Sequence, residues 1–176
     1  MGYNAGLTVF NNDFKDKITR VACPLTQCTD GPNQFGSNPT TYLNVDKAVS
    51  RGVEASMRLP LDRAWSLTAS YTFTDSEQKS GALKGKALNQ MPRHMFNATL
   101  DWQNTDQLGT WTRLNYRGKS SDYLGRTTMS DGTPSYTFVD VGGTYKVTKN
   151  LKLLAGVYNV FNKEVDYAEY QTVLDG

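Results

Sequence analysis

Trp65-Ser66-Leu67-Thr68-Ala69-Ser70-Tyr71-Thr72-Phe73-Thr74 carries an apolar or aromatic side chain at every odd position and a hydroxyl at every even one. A second run repeats the rhythm: Phe96, Ala98, Leu100 and Trp102 are apolar, while Asn97, Thr99, Asp101 and Gln103 are polar. Successive side chains of a strand point to opposite faces, so period-two alternation predicts β-strands with one greasy and one wet face. The tract between them, residues 75–91, is too long for a tight hairpin and too polar for a core. Strands of this kind suit a soluble sandwich or a membrane barrel, and the lengths of the connections decide between the two.

Working outward, the alternation predicts strands over about residues 3–21, 42–59, 65–74, 95–103, 110–119, 136–147 and 151–161. In the second of these, Val53, Ala55, Met57 and Leu59 oppose Gly52, Glu54, Ser56 and Arg58. In the fifth, Leu114 and Tyr116 oppose Arg113, Asn115, Arg117 and Lys119. In the sixth, Val139, Val141 and Tyr145 oppose Asp140, Gly142, Thr144 and Lys146. No helical periodicity is present. The connections alternate between long and short along the whole chain. Outer-membrane barrels behave this way, with short periplasmic turns and long external loops, and their tilted strands need about 9–11 residues to span. Trp65, Trp102, Trp111 and Tyr145 near strand ends fit the aromatic girdles at the two interfaces. The expected fold is therefore all-β, an antiparallel up-and-down transmembrane β-barrel segment of about seven strands. Lipid tolerates no unpaired strand edge, so an odd set of seven strands reads as a fragment of a larger barrel.

Composition agrees. The chain has 176 residues, 38% of them hydrophobic, with no run long and apolar enough for a membrane-spanning helix. The net charge of +2 gives no reason to expect a nucleic-acid partner. The start of the chain lacks the basic, apolar, small-residue order of a signal peptide, so either the protein is cytosolic or its true N-terminus lies elsewhere. Cys23 and Cys28 flank Pro24-Leu25-Thr26-Gln27 in a Gly/Asn/Pro/Thr-rich loop. Their spacing suggests a small disulfide ring formed in an oxidising compartment, with free thiols as the alternative. A zinc site needs four ligands and the only histidine, His94, is remote, so no metal site is expected. His94 also lacks a serine or acid at a catalytic spacing, and no enzyme activity is expected.

Several segments in order then carry a likeness: Phe14-Lys15-Asp16-Lys17-Ile18, Gly52-Val53-Glu54-Ala55, Leu59-Pro60-Leu61, and Ser70-Tyr71-Thr72-Phe73-Thr74-Asp75-Ser76-Glu77-Gln78. Pro92 with His94-Met95, Tyr116-Arg117-Gly118-Lys119, and Gly156-Val157-Tyr158-Asn159-Val160-Phe161-Asn162-Lys163 follow. Together these resemble the C-terminal part of a TonB-dependent outer-membrane receptor, and within that family the ferric catecholate siderophore receptors, a group that includes enterobactin and colicin-binding receptors. Val160 and Asn162 depart mildly from the usual Leu and Asp of the last motif.

The resemblance implies residues 1–176 of a plugged barrel of about 22 strands, with the plug and the final strand outside this text. It also implies location in the bacterial outer membrane, among lipid and lipopolysaccharide. TonB would be engaged through the N-terminal region that is missing here, and a colicin or phage is a further possible partner. A ferric siderophore would be the transported ligand, with no cofactor.

A ferric catecholate is a large aromatic anion, matched by cations and aromatic faces. Arg117, Lys119, Tyr123 and Arg126 are the candidate ligand-binding residues, with Tyr136 in the same loop region and Lys79, Lys84, Lys86 and Arg93 around another. Glu54, Arg58, Asp101 and Arg113 are expected to form lumen ion pairs with one another or with the plug. A passive porin or adhesin segment, or a truncated non-functional remnant, is the alternative to the receptor.

Overall fold

A computed structural model describes residues 2–22, 40–81, 84–88, 90–120 and 133–165, with side chains left out at 17, 19–22 and 40–46. Period-two segments give seven strands: β1 (Asn4–Ala22), β2 (Thr40–Pro60), β3 (Trp65–Gln78), β4 (His94–Gln103), β5 (Leu108–Arg117), β6 (Tyr136–Lys146) and β7 (Lys152–Val157). They form one antiparallel sheet in sequence order, each strand paired with the next. Short connections stabilise themselves locally. In the β2–β3 turn, Asp62 Oδ1 accepts the N–H groups of Ala64 and Trp65. Thr105 Oγ1 does the same for Gln107 and Leu108, and Thr148 Oγ1 for Asn150 and Leu151. These side-chain mimics of a backbone turn explain why Asp and Thr sit there.

The register sorts the side chains into two faces, because residues directly opposite in antiparallel strands share a side. One row reads Ala5, Met57, Ala69, Ala98, Leu114 and Val139. The next reads Leu59, Leu67, Leu100, Thr112, Val141 and Val157. Among the described residues no second sheet covers this apolar face, so a sandwich with a dry centre at Leu67, Ala69, Phe96 and Leu100 is ruled out. Leu7 and Val9 on it are 72% and 74% exposed. Such exposure would forgo about 1.5–3 kcal/mol per side chain in water, and lipid is the solvent that removes the penalty. The other face carries Asn4, Arg58, Thr68, Thr99, Arg113 and Asp140 in one row.

Three expectations are corrected. β3 continues to Gln78 instead of stopping at Thr74, because Ser76 and Gln78 pair with Ser50 and Ala48 of a long β2. β7 ends at Val157, short of Phe161. Asn159 and Asn162 take positive φ, and the Asn162 N–H donates to the Asn159 carbonyl, which turns the chain. Trp111 does not join the outward girdle. It pairs with Gly142 and Asp101 on the polar face, whereas Trp65, Trp102 and Tyr145 lie on the apolar one. Trp65 and Trp102 stack with ring centroids 4.8 Å apart, and the Trp111 ring occupies the trough left by Gly142 and Gly156.

Candidate functional site

The long connections gather at one end of the sheet, the external end of a barrel. There the segment between β3 and β4 turns inward onto the polar face. Gly81 and Gly85, both at positive φ, let it bend back. The Gln78 N–H donates to the Lys86 carbonyl and the Gly85 N–H to the Gln78 carbonyl, both at 2.8 Å. Leu88 is buried and its N–H donates to Ser76 Oγ at 3.1 Å. Ser50 Oγ donates to Met91 Sδ, and Arg117 Nη2 donates to the Gln90 carbonyl at 3.0 Å. The tract is polar by composition, yet it brings a leucine and a proline into contact with the wall.

Arg117 ends β5 on the polar face, opposite Tyr136. Tyr136 and Phe138 stand on the same face of β6 with ring centroids 4.9 Å apart. Lys119 lies exposed two residues further on, beside the Ser120–Thr133 bridge. Two of the four candidate residues are thus brought to the external rim, where Arg117 shares the inward face with the paired rings of Tyr136 and Phe138. Tyr123 and Arg126 lie outside the described residues, as do Cys23 and Cys28. Phe138 was missed by sequence reasoning, although its parity with Tyr136 and Asp140 marks it as inward-facing.

Lower on that face Glu54, Arg58, Asp101 and Arg113 do not form the ion pairs expected with one another. The ion pairs among the described residues are Arg51–Asp75, Arg93–Asp75 and Lys79–Glu77. Glu54, Arg58, Asp101 and Arg113 take part in none of them. Arg113 instead lies over the Trp111 ring, 5.2 Å from its centroid, a cation–π contact. Asp140 is buried, accepting from Asn115 Nδ2 at 3.1 Å and from the Asn159 N–H at 2.9 Å. His94 lies on the apolar face, with Nδ1 bonded to Tyr71 Oη at 2.7 Å. No cluster of His, Cys, Asp and Glu suited to a metal occurs among the described residues.

A seven-stranded sheet in sequential order, greasy outside and polar inside, matches a sequence family described as TonB dependent receptor-like, beta-barrel, over residues 2–160. The chain belongs to this family. It is 53% identical to the iron-regulated outer membrane virulence protein of Vibrio cholerae, over 99% of this chain and 27% of the relative. It is 37% identical to a ferric enterobactin receptor of Pseudomonas aeruginosa, over 93% of this chain and 23% of the relative. A crystal structure of a variant ferric enterobactin receptor from that organism superposes with a TM-score of 0.69 and 31% identity. It covers 90% of this chain and 23% of that one. The chain therefore spans about a quarter of the length of these relatives. It forms part of an outer-membrane barrel wall, in a family of receptors and not of enzymes.

Proposed function

We propose that residues 1–176 form the C-terminal part of the barrel of a receptor that binds and imports ferric siderophores of the catecholate class, with energy from TonB. The plug and the TonB-contacting segment belong to the remainder of that receptor. The observation that carries the reading is the group Arg117, Tyr136 and Phe138 on the inward face at the external end. A guanidinium and two rings presented on one inward face suit an anion whose surface is itself aromatic. Lys119 adds a second cation at the rim, and Tyr123 and Arg126 remain proposed contacts. Relatives named for ferric enterobactin support the ligand class. The polypeptide supplies binding surface to the receptor.

The test is equilibrium binding of a ferric catecholate to the full-length receptor with Arg117→Ala, Lys119→Ala and Phe138→Ala in combination. A fall in affinity of about tenfold or more is expected, since each desolvated cation–π contact is worth about 1–2 kcal/mol. Unchanged affinity would sink the assignment.

A further inference from the structure

The outward face carries a charged group apart from the inward-facing candidate site. One step above the row Val9, Val53, Phe73 and His94, the register places Asn11, Arg51 and Asp75 side by side. Arg51 donates from Nε at 3.3 Å and from Nη2 at 3.0 Å to Asp75 Oδ2. Arg93 Nη2 donates to the other oxygen, Oδ1, at 2.9 Å. One carboxylate therefore aligns two guanidiniums, whose side chains remain 63% and 64% exposed. Among the described side chains the other charges at or just above this level are Asp13, Lys15, Asp16, Lys47 and the Lys79–Glu77 pair, which cancel and leave the patch with the surplus positive charge of the two arginines over Asp75. Immediately below, His94 is held between Tyr71 and Phe73, its ring centroid 5.3 Å from that of Phe73.

Height identifies the occupant. From the Trp65–Trp102 girdle to Asp75 is about 33 Å along β3, or about 25 Å along the membrane normal at a tilt of about 40°. That is the height of the apolar band of such barrels. The guanidiniums thus sit where acyl chains give way to headgroups on the external side. We propose that Arg51 and Arg93, spaced by Asp75, clamp the phosphate of an outer-leaflet glycolipid while its acyl chains lie on Val53, Phe73, Tyr71 and Phe96. Arginine suits the task because its planar fork binds phosphate through paired N–H groups and each fork here keeps donors unspent on Asp75. The inference rests on the outward face meeting lipid and is independent of which siderophore is bound.

The test compares the full-length receptor with its Arg51→Gln/Arg93→Gln variant in detergent, using native mass spectrometry to count bound bis-phosphorylated lipid A and its dephosphorylated form. Loss of about tenfold in retention of the phosphorylated lipid only is the expected result, with partial recovery in Arg51→Lys/Arg93→Lys, which keeps the charge but not the fork. Equal retention by parent and variant, or equal loss of both lipids, overturns the proposal. So does displacement by inorganic phosphate at concentrations matching the lipid, which would mark a free-anion site. Arg93, counted with the loop cations on sequence grounds, bonds Asp75 on the outward face, away from Arg117, Tyr136 and Phe138, so ferric-siderophore binding measured in the same samples tests the import reading separately. Should the double variant fail to show heat-modifiable migration, Asp75→Asn serves instead and is expected to weaken lipid A retention by releasing the two forks.

Discussion

Asp140 holds Asn159 at the end of the sheet: its Oδ1 accepts the Asn159 N–H at 2.9 Å while Oδ2 takes Asn115 Nδ2 at 3.1 Å. Asn159 in turn bonds Lys163 from both ends of its amide, Oδ1 to the Lys163 N–H and Nδ2 to the Lys163 carbonyl. A single buried carboxylate therefore ties β5, β6 and the turn after β7. Asp140→Ala leaves two donors without an acceptor and is expected to destabilise the receptor by about 2–3 kcal/mol. Asp140→Asn, which keeps one acceptor oxygen, is expected to lose about half as much. Urea unfolding in detergent, followed by heat-modifiable migration, measures both.

Trp65 and Trp102 face lipid and Trp111 faces the lumen. Brominated phospholipids placed around the receptor quench only tryptophans they can touch. Trp65→Phe and Trp102→Phe are each expected to reduce the quenchable fluorescence, and Trp111→Phe to leave it unaltered. A bromine-sensitive Trp111 would reverse the face assignment.

Gly142 is needed because of the same ring. A Cβ there would fall 2.4 Å from Trp111 Cζ2 and 2.7 Å from the Ala155 carbonyl oxygen. The second of these is backbone and cannot swing away. Gly142→Ala is expected to destabilise by about 1–3 kcal/mol, the usual range for overpacking. Pairing it with Trp111→Ala should recover part of the loss, and a double-mutant cycle reads the coupling.

The inward-folded segment is anchored by Leu88 and by the bond from Arg117 to Gln90. Leu88→Ala is expected to raise the open population of the segment, and with it the trypsin cleavage rate after Lys84 and Lys86, by about tenfold or more. Cleavage at the parental rate would show that the leucine is no anchor.

Alternation made the two faces legible wherever apolar and hydroxyl residues took turns, as from Trp65 to Thr74. It failed at Ser76 and Gln78 because a strand facing a wet lumen and a loop facing water use the same residues. It overran at Val160 and Phe161, whose apolar character suggests a strand although Asn159 and Asn162 adopt the turn conformation that asparagine tolerates. Trp111 was misplaced because ring type was weighed above parity. At the site, parity alone put Arg117 inward, but the return of residues 79–93 across the wall depends on contacts distant in sequence, which no local pattern encodes. Lumen ion pairs were expected from charge at Arg113, where the nearer partner is an aromatic ring.

β1 and β2 stay paired up to Ala22 and Thr40, whereas β4 begins at His94. Beyond Arg51 the β1–β2 ladder runs about 35 Å further along its strands. Among the described strands the sheet is consequently stepped: past Ala48, where the pairing with β3 stops, the β1–β2 ribbon stands alone.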